Sequence, residues 1–124
     1  MGIFDLFKKN DKKPVYSRKS FINDDVTNYY DEKGKRIGFG RKSIIDSDKT
    51  NYYDANGKKI GYSRKSFYDS DRTNFYDNSR KEQGYSRKNI FNSDWTSFFD
   101  DKGNKTGEGR KSSVFDGIDI FKKK

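Results

Sequence analysis

Apolar and polar positions recur along this chain with a period of 23 residues. The copies occupy residues 15–37, 38–60, 61–83 and 84–106, and a half copy covers 107–115. Each copy holds a longer run rich in aromatic and β-branched residues, such as 60–67, and a shorter one, such as 73–77. Two strands in 23 residues leave no room for a helix, and the 3.6-residue helical period is absent. The pattern predicts an all-β fold of tandem antiparallel hairpins.

Two turn signals separate these runs. The first is Asp-x-x-Gly, at 31–34, 54–57 and 100–103, where Asp favours the first turn position and Gly accepts a positive φ. The second is Asp-Ser-Asp or Asn-Ser-Asp, at 46–48, 69–71 and 92–94, where short polar side chains cap a loop. Calcium binding by these carboxylates is the alternative, although the Gly and distal Glu of an EF-hand loop are missing.

Neighbouring aromatic residues are expected on opposite faces of the sheet, because side chains alternate along a strand. One ladder consists of Tyr30, Tyr53, Tyr76 and Phe99, and the opposite one of Tyr29, Tyr52, Phe75 and Phe98. Apolar pairs such as Ile44-Ile45 and Phe67-Tyr68 are also expected to place bulky groups on both faces. The shape is then either an extended single-layer twisted meander or a small curled solenoid, and the aromatic ladders favour the meander.

The two ends of the chain carry similar apolar clusters followed by Lys. Residues 1–14 are predicted as an amphipathic basic cap and residues 116–124 as an apolar, Lys-rich cap on either side of the repeats at 15–115, since repeat arrays need covered ends. The alternative is a pair of membrane-surface anchors. Their contact residues would be Phe4, Phe7, Lys8, Lys9 and Phe121.

Composition excludes several classes of function. The chain of 124 residues has 28 Lys and Arg against 19 Asp and Glu, a net charge of +9, and no Cys or His. Disulfides, thiol nucleophiles, His-based catalysis and thiolate or imidazole metal sites are therefore excluded. Aromatic residues make up 17% of the chain within a hydrophobic total of 29%, which argues against disorder. We expect a non-enzyme without catalytic residue, metal, cofactor or small-molecule substrate.

The sequence shows neither a membrane-spanning segment nor a secretory signal. No run approaches the roughly 18 apolar residues of a membrane-spanning helix, and the first residues do not read as a secretory signal. The expected location is the cytoplasm, with peripheral contact to the membrane as an addition.

An Arg-Lys pair is the most regular feature of the repeats. Neighbouring residues point to opposite faces, so the pairs predict one Arg ladder and one Lys ladder. The candidate polyanion-binding residues are Arg18, Arg41, Arg64, Arg87 and Arg110, with Lys19, Lys42, Lys65, Lys88 and Lys111. The ladders suit an acidic lipid surface, a nucleic acid or an acidic partner. Pairing of the Arg with Asp25, Asp48, Asp71 and Asp94 is the structural alternative, and nucleic acid is the less favoured ligand.

The repeat unit resembles two kinds of protein. Its Tyr-Asp-x-x-Gly-x-x-x-Gly-x-Ser-Arg pattern is similar to that of uncharacterised bacterial repeat proteins, which also carry a lead like the MGIFDLFKK of this chain. Asn56-Gly57-Lys58 with Gly61, and Lys33-Gly34-Lys35 with Gly38 and Gly40, resemble the MORN repeat. The MORN resemblance implies hairpins used as binding or membrane-apposition platforms.

These observations predict a non-enzymatic structural or protein-interaction scaffold. Its partner is expected to be another protein or a second copy of itself. The alternative is a peripheral binder of anionic membrane or another polyanion, through the Arg and Lys ladders and the Phe-Lys tails.

Overall fold

The predicted hairpins form, and the sheet that they build closes on itself. The structure, a computed structural model, describes residues 16–112 and 118–123. In that part of the chain there is no helix, and ten antiparallel strands follow one another around a closed barrel. The strands are β1 (Tyr16–Lys19), β2 (Val26–Tyr30), β3 (Arg36–Lys42), β4 (Lys49–Asp54), β5 (Lys59–Lys65), β6 (Arg72–Asp77), β7 (Glu82–Lys88), β8 (Trp95–Asp100), β9 (Lys105–Lys111) and β10 (Ile118–Lys123).

The prediction of an open meander is wrong. Strand β1 pairs with β10 in the register Tyr16↔Ile120, Ser17↔Asp119 and Arg18↔Ile118, so neither strand is left as an edge. Closure removes the unpaired backbone groups of an open sheet and gives one aromatic ladder an interior to fill. Residues 118–123, predicted as part of a cap, thus form a strand of the wall. The predicted cap at residues 1–14 lies outside the described residues.

The two aromatic ladders lie on opposite faces, as predicted. Tyr29, Tyr52, Phe75 and Phe98 are buried inside the barrel. Each lies beside a small residue of a neighbouring strand, as in the register pairs Tyr52↔Gly40 and Phe75↔Ser63. Large and small residues therefore alternate around the interior, which is how a barrel of this size fills its core.

The outward-facing aromatic residues stack in pairs across neighbouring strands. Their ring centroids are 4.8–5.0 Å apart with interplanar angles of 13–19°. The pairs are Tyr16–Tyr30, Phe39–Tyr53, Tyr62–Tyr76 and Tyr85–Phe99. They add cross-strand attraction on the solvent side of the wall.

The Asp-x-x-Gly signals form the tight turns at one end of the barrel, which we call the turn end. In the turn after β4, the Asp54 carboxylate accepts hydrogen bonds from the backbone N–H groups of Asn56 and Lys58, both at 2.9 Å. Gly57 has a φ of 87°, the left-handed conformation for which glycine is preferred. A register shift follows in each of these hairpins, a bulge that helps the wall to bend.

Candidate functional site at the loop end of the barrel

Four described loops lie at the opposite end of the barrel, which we call the loop end. They cover residues 20–25, 43–48, 66–71 and 89–94. Each begins immediately after an Arg-Lys pair and carries two consecutive large apolar residues. We call these eight residues the loop tips: Phe21, Ile22, Ile44, Ile45, Phe67, Tyr68, Ile90 and Phe91.

The loop tips are exposed, between 76% and 98% of their surface. The prediction that Ile44-Ile45 and Phe67-Tyr68 lie on the two faces of the sheet is therefore wrong. The strand ends at Lys65, and Ser66 then directs its backbone N–H to the carbonyl of Arg72 at 2.9 Å. Because this bond closes a loop, the apolar pair that follows is displaced from the sheet and into solvent.

The loops hold a defined shape beneath their exposed tips. The Asp46 carboxylate accepts the backbone N–H of Asp48 at 3.1 Å, and Asn92 and Asp69 accept equivalent bonds in their own loops. The carbonyl of Asp48 also accepts the N–H of Lys65 on the next strand, at 3.0 Å. The predicted polar capping is confirmed, and it anchors the base of each loop while the tip projects.

The Lys ladder continues the inward-facing positions of the strands to the loop end, where its side chains form an exposed ring at the rim. Its register partners are inward-facing Thr residues, as in Lys65↔Thr73 and Lys88↔Thr96. We call Lys19, Lys42, Lys65, Lys88 and Lys111 the lysine ring. Within the described part of the chain, none of them forms a salt bridge. Successive members are separated by two strands, or about 10 Å around the wall.

The Arg ladder lies on the outside of the wall, and only part of it is neutralised. Arg64 forms a salt bridge with Asp46 at 2.5 Å and Arg87 with Asp69 at 2.6 Å. The pairing with Asp48 and Asp71 predicted from the sequence is therefore replaced by pairing with the Asp two residues earlier. The backbone N–H of Asp48 and, to a smaller extent, the Arg64 guanidinium lower the pKa of Asp46.

Both ends of the barrel carry net positive charge. At the loop end, the segments 18–26, 41–49, 64–72, 87–95 and 110–112 contain 12 Lys and Arg against 7 Asp. Strand β10 adds Asp119 at this end, in register with Lys111, and Lys122 and Lys123 at the turn end, in register with Glu108 and Gly107. The described residues together contain 23 basic and 16 acidic side chains, a net charge of +7, of which +4 belongs to the loop end.

A cavity of about 270 Å³ opens within the barrel beneath the lysine ring. Thr27, Thr73 and Thr96 line its walls, and Lys88 and Lys111 lie at its rim, beside Asp94. Its floor is a closed circle of five aromatic side chains, which we call the aromatic ring. Successive centroids are 5.9–6.4 Å apart around Tyr29, Tyr52, Phe75, Phe98 and Phe121.

Of the predicted membrane-contact residues, Phe121 is the one within the described residues. Phe121 packs inside the barrel against Tyr29 and Phe98 and is not available as a surface contact. Phe4, Phe7, Lys8 and Lys9 lie outside the described residues.

The loop tips were missed by sequence reasoning. Their signal was an apolar pair between a Ser or Asn and an Asx-Ser-Asp turn, a context that favours a loop over a strand.

Comparison with known proteins gives little further guidance. No family model and no curated protein matches this chain. The solved structure of a protein from Arabidopsis thaliana is similar with a TM-score of 0.49 and 10% identity, over 94% of this chain and 85% of that one. Over residues 16–112 and 118–123 there is no helix long and apolar enough to span a bilayer, and no group of three or more acidic side chains is placed to hold a metal ion.

Proposed function

We propose that this protein is a non-enzymatic peripheral binder of anionic membrane surfaces and that it docks through the loop end. The observation that carries the proposal is the position of the exposed loop tips around an unneutralised lysine ring. The proposal keeps the predicted cytoplasmic location, because the cytoplasmic leaflet is the anionic one.

The loop tips supply the apolar part of the contact. Soluble monomers rarely expose a cluster of large apolar side chains without a use for it. Four separate projections, each two residues long, suit insertion into the boundary between headgroups and acyl chains. Because hydrogen bonds within each loop already hold its shape, little ordering entropy is lost on insertion.

The lysine ring and the outer Arg supply the electrostatic part. With the tips inserted, these side chains lie at the depth of the headgroups, where each cation adds about 1 kcal/mol of attraction to an acidic leaflet. The turn end faces away from the membrane in this orientation. Strand β1 begins and β10 ends there, so this orientation is opposite to one based on terminal anchors.

A protein-interaction scaffold is the other function that these features suit. The same tips would then bury themselves against a partner protein or a second copy of the chain. The two functions differ in their response to salt, because attraction to an acidic membrane weakens as ionic strength rises, whereas burial of apolar tips in a protein interface does not.

Vesicle flotation tests the proposal. We expect binding to phosphatidylcholine vesicles that contain phosphatidylserine, weakened at physiological salt, and no binding to phosphatidylcholine alone. The double substitution Ile44→Ser with Ile45→Ser should weaken binding about tenfold or more without changing the denaturation midpoint, since the tips are exposed. Lys42→Gln with Lys65→Gln should weaken it and flatten its salt dependence.

The matched control removes two charges from the turn end, as Lys33→Gln with Lys102→Gln. This variant should bind vesicles almost as the wild type does. Equal losses from both charge pairs, or a loss with Phe4→Ser and Phe7→Ser but none with the tip variant, would contradict docking through the loop end. Absence of flotation in every condition, with concentration-dependent oligomers that the tip variant abolishes, would favour the scaffold.

A further inference from the structure

A second cationic feature lies on the outer surface of the barrel and runs from the loop end towards the turn end. It is a concave strip of about 410 Å³ along strand β5, which we call the β5 wall. Six residues line it: Lys49, Lys59, Tyr62, Arg64, Asn78 and Arg80. Four of the six are cations, and no carboxylate is among them. Among these four cations, Arg64 forms a salt bridge, with Asp46.

The cations of the β5 wall are arranged around one aromatic side chain. The Nζ atoms of Lys49 and Lys59 lie 4.7 and 5.6 Å from the centroid of the Tyr62 ring. Tyr62 in turn stacks on Tyr76 at 5.0 Å. Lys49, Lys59 and Arg80 form no salt bridge within residues 16–112 and 118–123. Three cations are thus held near one another without a counterion.

The turn after β6 departs from the repeat in a way that favours this cluster. Three of the four tight turns place Gly at the left-handed position, whereas the fourth places Arg80 there, with a φ of 66°. A non-glycine residue is strained in this conformation. Asn78 precedes it and donates its side-chain N–H to the carbonyl of Lys59 at 2.7 Å, which fixes the turn against β5. Strain of this kind often accompanies a functional side chain.

The equivalent surfaces of the other repeats lack this charge. One repeat later the same positions hold Arg72, Glu82, Tyr85, Arg87, Asp101 and Gly103. There Arg72 pairs with Glu82 at 3.6 Å and Arg87 with Asp69, and the two cations of that wall are balanced by two acids. One repeat earlier the positions hold only two cations, Arg36 and Arg41. The β5 wall is therefore a local departure from the repeat pattern.

From this departure we infer that the β5 wall binds an extended oligophosphate. Lys59 and Arg64 are five residues apart on one strand, about 17 Å between their Cα atoms, so the cations are spread along the wall and a chain of phosphoryl groups can contact more of them than one phosphate can. Arg80 provides a guanidinium group suited to paired contacts with phosphate oxygens, and Lys49 and Lys59 provide point charges beside Tyr62. Arg64 adds a second guanidinium that is already paired with Asp46. A chain of phosphoryl groups carries the density of negative charge that the three unpaired cations match.

Calorimetric titration with sodium tripolyphosphate tests this inference. We expect binding that weakens as salt rises, with inorganic phosphate at least tenfold weaker. Arg80→Gly restores the residue found in the other turns. It should raise the melting temperature by about 2 to 6 °C and lower the affinity for tripolyphosphate about tenfold. Lys59→Gln should weaken tripolyphosphate binding similarly. Because Lys59 lies outside the turn after β6, this variant tests the site even if Arg80→Gly alters the fold.

The matched control is Lys33→Gln, which removes one charge from another turn at the same end of the barrel. It should change tripolyphosphate affinity less than twofold. Equal weakening by Lys33→Gln and Arg80→Gly would overturn the site in favour of general charge attraction, as would inorganic phosphate binding as tightly as tripolyphosphate. Preference for an oligoglutamate peptide would also overturn it, in favour of an acidic protein partner. Vesicle flotation of Arg80→Gly should be unchanged, so a failure here is separate from a failure of membrane docking.

Discussion

The inner and outer aromatic residues of this barrel are neighbours in sequence but differ in burial and in the geometry of their ring contacts. The inner ones meet at interplanar angles of 28–66° around a closed circle, with centroids 5.9–6.4 Å apart. The outer ones stack in separate pairs at 4.8–5.0 Å. Each side chain of the closed circle contacts two neighbouring rings, whereas each ring of an outer pair contacts one. An outer pair therefore stabilises only the two strands that carry it. The difference indicates that the inner circle holds the barrel together and that the outer pairs reinforce its wall locally.

The largest difference in stability should separate a truncated inner aromatic side chain from a truncated outer one. Phe75→Ala removes a side chain that is 3% exposed and contacts both Tyr52 and Phe98, and should cost about 3 to 5 kcal/mol of unfolding free energy. Tyr76→Ala removes half of one outer pair and should cost about 1 kcal/mol. Urea denaturation of both variants measures the difference. Equal losses would show that the inner circle is not the core.

The burial of the inner circle can be tested by a pH titration of Tyr52. Burial raises the pKa of this phenol to about 12, against the opposing hydrogen bonds of Ser63 and Tyr29. The unfolded chain loses this proton near pH 10 and the folded chain only near pH 12, so its contribution is complete below pH 10 and is lost as pH rises. The loss should approach 2 to 3 kcal/mol by pH 12.

Tyr52→Phe is the control for this titration, because it removes the ionisable group and keeps the ring. The difference in unfolding free energy between wild type and Tyr52→Phe, measured by urea denaturation at several pH values, should fall between pH 10 and 12. A difference that stays constant across this range would contradict burial of the hydroxyl, whose partner is Ser63 at 3.0 Å.

The smallest effect concerns the small residues between the inner rings. A Cβ atom on Gly40 would lie 3.0 Å from the Tyr52 ring, so Gly40→Ala must displace that ring and should cost about 1 to 2 kcal/mol. The adjacent Arg41 faces outward and is exposed, so Arg41→Ala should change stability by less than about 0.5 kcal/mol. Equal denaturation midpoints for the two variants would show that the interior has spare room at Gly40.

Much of the fold follows from local chemistry that the sequence displays. Asp54 and Gly57 form their turn through contacts within five residues, and alternation alone separates Tyr52 from Tyr53. The candidate site was less accessible to sequence reasoning. The Arg and Lys ladders were identified, but the loop tips were assigned to the strands because aromatic and β-branched residues are typical of strands. The convergence of the loop tips and the lysine ring at one end depends on the positions of five separate segments.

The period, the two kinds of turn and the separation of neighbouring side chains onto two faces can be read from the amino-acid sequence. These features depend on hydrogen bonds and dihedral angles within a few residues. Which face is interior depends instead on the pairing of β1 with β10, nearly the whole chain apart. Closure then converts a row of Lys into a ring and gathers four apolar loops at one end. Strand twist accumulated over ten strands decides closure, and a single repeat does not contain that information.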